Sequence, residues 1–454
     1  MLELDYVMDV LGNRTEKMAT LSRGSLFESV TQETYEYDAL GQLVQVEESL
    51  RGSAVSRTAY TYDPVGNRAS LEEFDFIPSQ GWTPSRMVQY AYDEADQLLT
   101  AGATSYTYDG NGNRVTKSES PWRTTHYVYD TSGRLVEVDR GWRRVSYSYD
   151  GDGNKVARSE ARGSKIETKM IVNDVATAIP VVLQEREGTA TTSYALGLGL
   201  ISREVDSSGN LGSSFYHSDG LGSTLALTNT EGRAAARYEY DPWGSVEKGL
   251  RRSTNEFLFA GEELDSETGL YYLRSRWYDA QTGSFVSRDP LLGLASRPLS
   301  SNRYLYVQNN PANLVDPLGL EPQTTGGGVR LAANLTNAYG VLREPDNSTL
   351  LRDYIGGVLK DAILDRVRFG DLIGVTFTLL DLLERYRPVI EHERADIDTN
   401  LPILAENVCK QEIDVPIEGI FIGSVTNYGR YFNRQNLEGK ARAIAQSQGR
   451  CPTQ

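Results

Sequence analysis

Residues 106–114 read Tyr106-Thr107-Tyr108-Asp109-Gly110-Asn111-Gly112-Asn113-Arg114, and this stretch decides the fold. Tyrosines at i and i+2 share one face of a β-strand, where side chains alternate and large aromatic residues are favoured. Asp109 opens a type I turn with a carboxylate that can bond the amides following it, and Gly112 stands where the backbone needs positive φ. The stretch is therefore a hairpin in miniature. Working outward, the pattern recurs at Tyr35-Glu36-Tyr37-Asp38, Tyr60-Thr61-Tyr62-Asp63, Tyr90-Ala91-Tyr92-Asp93, Tyr127-Val128-Tyr129-Asp130 and Tyr147-Ser148-Tyr149-Asp150. A degenerate copy, Tyr6-Val7-Met8-Asp9 with Gly12, precedes them. Pairs such as Leu43-Val44, Arg68-Ala69 and Leu135-Val136 begin the return strands.

The copies start 16 to 30 residues apart, which predicts a winding β-sheet with insertions rather than a strict solenoid. One hairpin cannot bury its own tyrosines, so the copies must join into a continuous sheet. The 27 tyrosines are read first as a packing device, with sugar stacking on an aromatic ladder as the alternative.

Composition narrows the function classes. A net charge of -16 and a pI near 4.9 argue against wrapping nucleic acid phosphates. Cys409 and Cys451 are too few for a disulfide framework or a paired zinc site, and His126, His217 and His392 are scattered, so neither metal nor cofactor is expected. The N-terminus lacks the basic and apolar regions of a signal peptide, and the apolar run 372–383 is too short to span a membrane.

A denser block follows residue 215: Tyr216-His217-Ser218-Asp219-Gly220, Tyr238-Glu239-Tyr240-Asp241-Pro242-Trp243-Gly244, and Gly269-Leu270-Tyr271-Tyr272-Leu273-Arg274-Ser275-Arg276-Trp277-Tyr278-Asp279. It continues through Ser287-Arg288-Asp289-Pro290 and closes on Asn309-Asn310-Pro311 and Asp316-Pro317-Leu318-Gly319-Leu320. This order resembles the RHS-repeat-associated core of bacterial RHS toxins, of the C component of toxin complexes and, more distantly, of teneurins. The resemblance covers residues 1–320. It implies a mainly β fold, a YD-repeat hairpin shell forming a partial cocoon with an RHS core as plug, and a variable C-terminal effector as cargo. The domains expected are 1–165 repeats, 166–320 core, 321–329 linker and 330–454 variable domain.

In toxin-complex relatives, the paired aspartates of the core act as an internal aspartyl protease. The resemblance places them at Asp289 and Asp316, with Arg288 orienting the pair and the cut between Leu320 and Glu321. Two carboxyls held close cannot both ionise, so one can serve as base toward water while the other donates a proton to the amide. The rival reading makes both Asp-Pro steps turn starters, favoured by a first motif, Asp289-Pro290-Leu291-Leu292-Gly293, one residue longer than the usual spacing. His217-Ser218-Asp219 is rejected as a triad, because consecutive residues of an extended chain point to alternate sides.

Past the linker Gly326-Gly327-Gly328 the tyrosine pattern ends. Helical spacing from Leu351 to Ile363 and over 372–386 predicts a mostly α domain, with a short strand at 413–422. His392 beside Glu391 and Glu393 is read as a solvated helix end, and the polar cluster from Asn427 to Arg434 as surface. The functional expectation is a secreted or cell-surface shell that encloses its own C-terminal segment, with self-cleavage left open. Its partners would be an upstream shell or secretion component and an immunity protein. The alternative is a YD-repeat adhesion module that binds carbohydrate and has no enzymatic activity.

Overall fold

The computed structural model describes residues 2–23, 27–176, 179–197, 199–249, 254–293 and 298–324. The chain separates into two units, Met1–Thr325 and Gly326–Gln454. The helices and strand expected beyond residue 330, with His392 and the 427–434 cluster, lie outside the described residues.

In the first unit, one sheet of 21 strands runs from Leu2–Met8 to Ala234–Arg237. Each strand pairs antiparallel with the next, and the meander crosses residue 165 without a break. Among the described residues no pairing joins the first strand to the last, so the sheet is open. It curls far enough, however, that the turn at Asp219–Gly222 meets the first hairpin. The Gly220 amide donates to Tyr6 Oη at 3.0 Å, while the Arg14 guanidinium lies 4.1 Å over the Tyr6 ring.

The turns follow from local chemistry. Asp38 Oδ1 accepts the Leu40 and Gln42 amides, both at 2.9 Å, and the Gly41 amide donates to the Asp38 carbonyl at 3.0 Å. Gly41 takes φ 80°, a region L-residues avoid. The same bonds form at Asp63, Asp109, Asp130 and Asp150. At the one clean repeat without the glycine, Asp96 adopts φ 61° instead. One extra residue follows each turn: Tyr37 pairs with Leu43 but Glu36 with Gln45, leaving Val44 as a bulge, and the shift recurs at Tyr62, Tyr108, Tyr129 and Tyr149. Repeated bulges tighten the local twist, consistent with a sheet that curls.

The two tyrosines of a repeat divide their work. The first is buried at Tyr35, Tyr60, Tyr106, Tyr127 and Tyr147 and half-buried at Tyr90. In three repeats the second sends its hydroxyl to a backbone carbonyl at the start of the preceding return strand, Tyr37 to Arg14 at 2.7 Å, Tyr62 to Leu43 at 2.6 Å and Tyr149 to Leu135 at 2.7 Å, whereas Tyr129 reaches Val286 O at 3.4 Å. The bonds to the preceding strand link neighbouring hairpins and set their register.

The tyrosine face is covered by Trp243 and the chain's own segment 254–324. One cluster joins Tyr127, Leu135, Val138, Val145 and Tyr147 of the sheet to Leu270, Tyr272, Trp277 and Val286. A second joins Tyr35, Leu43, Tyr60 and Leu71 to Trp243 and Ala312. Each large apolar side chain so buried stabilises by about 1.5–3 kcal/mol. The covering segment carries a four-stranded sheet, Glu263–Asp265, Leu270–Leu273, Arg276–Asp279 and Ser284–Phe285.

Buried ion pairs stitch it to the repeats: Arg114 Nη1 to Asp279 Oδ2 at 2.7 Å, Lys155 Nζ to Glu263 Oε1 at 2.5 Å, and Arg158 Nε to Asp265 Oδ2 at 2.8 Å. Glu185, Glu256 and Glu263 bring carboxylate oxygens within 4.8 Å of one another. There the Lys169 and Lys155 ammonium groups supply the positive charge, Lys169 contacting Glu185 at 3.4 Å and also Glu256.

Candidate active site

The two aspartates singled out from the sequence meet at one arginine. Asp289 follows the strand ending at Phe285, its amide tied to the Arg303 carbonyl at 2.9 Å, and Asp316 follows the strand Leu314–Val315. Arg276 Nη2 lies 2.8 Å from Asp289 Oδ2 and 3.6 Å from Asp316 Oδ2, so the two carboxylates can be no farther apart than those distances together. All three side chains are buried.

Arg288 is placed elsewhere. It is exposed, with its aliphatic stem beside Gly112, and among the described residues the guanidinium that contacts both carboxylates is that of Arg276. Arg303 also holds Asp289, but through its backbone carbonyl, with Nε donating at 2.7 Å.

Burial dominates the electrostatics. It pushes the Asp316 carboxyl up to about 6 against the opposing pull of Arg276, and it raises Asp289 in the same way. A third acid stands close by. Glu262 is buried and pushed up to about 7, with Arg274 opposing the shift and the Asp316 charge adding to it.

The chain beyond Asp316 turns back on itself, because Val315 pairs with Gln323 and Leu314 with Thr324. The bond between Leu320 and Glu321 sits in this hairpin. Asp316 Oδ1 accepts the amides of Leu320 at 2.9 Å and Glu321 at 3.2 Å. The Glu321 nitrogen is the one that would leave if that bond were hydrolysed. An acid oxygen already bonded to it is placed to deliver a proton as the nitrogen loses its amide character. The turn-starter reading also finds support, since Asp289 Oδ1 accepts the Leu291 amide at 2.7 Å.

His217 is exposed and bonds Thr228 Oγ1 at 2.9 Å, while Asp219 Oδ1 is taken by the Leu221 and Ser223 amides. Sequence reasoning missed Arg276, Arg274 and Glu262. The available signal was two arginines in a run that is otherwise aromatic and apolar, because a buried guanidinium requires acids near it.

Comparison with known proteins gives the lineage. The family model described as Teneurin YD-shell matches residues 3–312. The tRNA nuclease WapA of Bacillus subtilis (strain 168) is 29% identical over 294 residues, spanning 62% of this chain and 12% of that protein. The double-stranded DNA deaminase toxin A of Burkholderia cenocepacia is 29% identical over 346 residues, 67% of this chain and 23% of the relative. The chain thus spans less than a quarter of these relatives. The crystal structure of TcdB2-TccC3 aligns over 70% of this chain and 21% of that one at 19% identity, with a TM-score of 0.35. With a family model matched along most of its length, this chain belongs to the teneurin YD-shell family of RHS/YD-repeat proteins.

Proposed function

We propose that the chain is the closing part of a toxin shell that cuts itself between Leu320 and Glu321 and so frees residues 321–454 as an effector. The observation that carries the reading is the contact of Asp316 Oδ1 with the Glu321 nitrogen, in a carboxyl pair bound to one buried arginine. Asp289, as carboxylate, takes a proton from the attacking water, whose oxygen bonds to the Leu320 carbonyl carbon. Asp316, protonated, gives its proton to the Glu321 nitrogen as the carbon–nitrogen bond breaks. Arg276 holds both groups in reach and moderates their charge; the resemblance would give that task to Arg288, which is exposed here.

The relatives support the effector half, since they are described as a tRNA nuclease and a double-stranded DNA deaminase toxin. On this reading repeats (1–165), core (166–320) and linker (321–329) serve a cargo domain (330–454). An immunity protein protects the producing cell, further shell comes from an upstream segment or partner, and the assembly works outside that cell. The carbohydrate alternative loses its principal surface, because most first tyrosines of the repeats are buried against the chain's own core.

The test is the intact mass of the expressed full chain. Wild type should give two products divided after Leu320, and both Asp316→Asn and Asp289→Asn should give one uncut mass. A wild-type chain that stays whole from about pH 5 to pH 8 would sink the protease reading.

A further inference from the structure

Three successive carbonyls before the Leu320–Glu321 bond are gripped by three successive residues. Arg274 Nη1 donates to Pro317 O at 2.6 Å, the Ser275 amide to Leu318 O at 3.2 Å, and Arg276 Nε to Gly319 O. The donors belong to the tight turn between strands Leu270–Leu273 and Arg276–Asp279, where Arg274 is held at φ 57°. A side chain other than glycine is costly there, and such strain tends to persist where a geometry is used. The turn does not stand alone: Arg274 Nη1 also donates to Glu262 Oε2 at 2.5 Å. Glu262 is itself fixed by a tight backbone loop, its amide bonded to Phe259 O at 3.0 Å and its carbonyl to the Leu258 amide at 2.9 Å.

Gly319 completes the fit. It adopts φ 65°, and a Cβ there would lie 2.6 Å from Leu273 O and 3.1 Å from the Arg276 nitrogen. That approach leaves no room for a side chain. A cavity of about 70 Å3, lined in part by Glu262, Glu263 and Arg274, adjoins the braced arm and leaves the arm space to shift if the brace is lost.

We propose that the turn Arg274–Arg276, braced by Glu262, is a subsite clamp that sets which bond is cut and admits only glycine at position 319. The inference rests on the self-cleavage reading and adds to it a specificity device. Arg274 and Glu262 are positioning residues. Neither reaches the carboxyl pair in hydrogen bonds; they act by fixing the chain that the pair attacks. Misplacing a reacting group by about an ångström costs on the order of 10²-fold in rate.

The experiment synthesises full chains in a cell-free reaction, quenches them at timed intervals, and measures both the rate of cutting and the mass of each product. Glu262→Gln, Arg274→Met and the double variant are compared with wild type, with Gly319→Ala as the subsite probe and Asp316→Asn as the uncut baseline. The expected result is cutting at least about tenfold slower in each single variant, with some product ended at bonds other than Leu320–Glu321. Slowing without a shifted cut supports the clamp only if the Glu262→Gln and Arg274→Met effects are strongly non-additive; independent, additive slowing overturns it. Wild-type rate and wild-type position in these variants also overturn it, while leaving self-cleavage intact. An uncut wild type, by contrast, removes the protease reading and the clamp with it. If Arg274→Met fails to fold by circular dichroism, Arg274→Lys and Glu262→Gln decide the matter on the same masses.

Discussion

At the turn edge of the sheet, Asp9 Oδ1 accepts the Leu11 and Asn13 amides, both at 2.8 Å; in the covering segment, Asp316 Oδ1 accepts those of Leu320 and Glu321 at 2.9 and 3.2 Å. The bonding pattern is nearly the same, and the consequences are opposite. The Asn13 side-chain amide, helped by backbone amides, holds Asp9 below the usual carboxylate range, so it stays an anion that organises a turn. Burial pushes Asp316 up to about 6 despite Arg276, so it can carry and lose a proton near neutrality. Amide bonds alone do not raise a carboxyl; burial does, and here it outweighs both the amides and the shared cation.

The largest expected effect breaks this comparison outright. Asp316→Asn should slow cutting after Leu320 by about 10²- to 10⁴-fold, the range for losing a positioned general acid. Asp9→Asn, which keeps an acceptor oxygen at the turn, should leave the cutting rate within about twofold. Intact masses taken over time check both. Equal effects from the two substitutions would mean that Asp316 is only another turn residue.

The next contrast concerns the arginines. Arg276→Met leaves two buried carboxylates without their shared cation and should cost about 3–5 kcal/mol by urea denaturation of an uncut chain. Arg134→Met removes the half-exposed pair with Asp130, and should cost less than about 1 kcal/mol. A small loss for Arg276→Met would show that Asp289 and Asp316 are neutralised by protons rather than by the guanidinium.

The pH dependence sharpens the same distinction. Glu262 and Asp316 are raised to about 7 and about 6, so the folded chain keeps protons that the unfolded chain releases. Their contribution is complete below the unfolded values near 4 and is lost as pH rises through 6 to 7. The unfolding free energy from urea denaturation should therefore rise as pH falls from about 8 to about 5, by on the order of 4 kcal/mol. Turn aspartates such as Asp9 and Asp150, held low, act in the other direction and only in acid: their contribution is present above the unfolded value and lost as pH falls through the folded one. In a Glu262→Gln chain the climb should shrink.

How much could be read beforehand follows from sequence distance. The Tyr-x-Tyr-Asp-x-x-Gly hairpin was legible because every partner lies within a few residues, and the Asp-Pro steps were legible through resemblance. The choice of tyrosine over phenylalanine at the second aromatic position was an unread signal, since packing alone needs no hydroxyl, and Tyr37 uses its own on the preceding repeat. Arg276 was hidden because its partners Asp289 and Asp316 are remote in sequence and reach it only through the folded core. The burial of the tyrosine face under Trp243 and segment 254–324 was likewise a long-range fact, which local periodicity does not encode.

The smallest expected effect tests the turns against one another. Gly133 occupies φ 78°, and a methyl group added there would meet nothing within 4 Å, so Gly133→Ala encounters only backbone strain and should cost about 1 kcal/mol in denaturation. At the corresponding place in another repeat, Asp96 already accepts φ 61° and also receives the Asn67 side-chain amide on Oδ1 at 2.9 Å. Asp96→Gly relieves the strain but removes that bond, and each term is worth about 1 kcal/mol, so the net change should fall within about 0.5 kcal/mol of zero. A clear loss would show that the Asn67 bond, which ties neighbouring turns together, outweighs the local backbone preference. A clear gain would show the reverse, and would make glycine the better residue at every turn on this edge of the sheet.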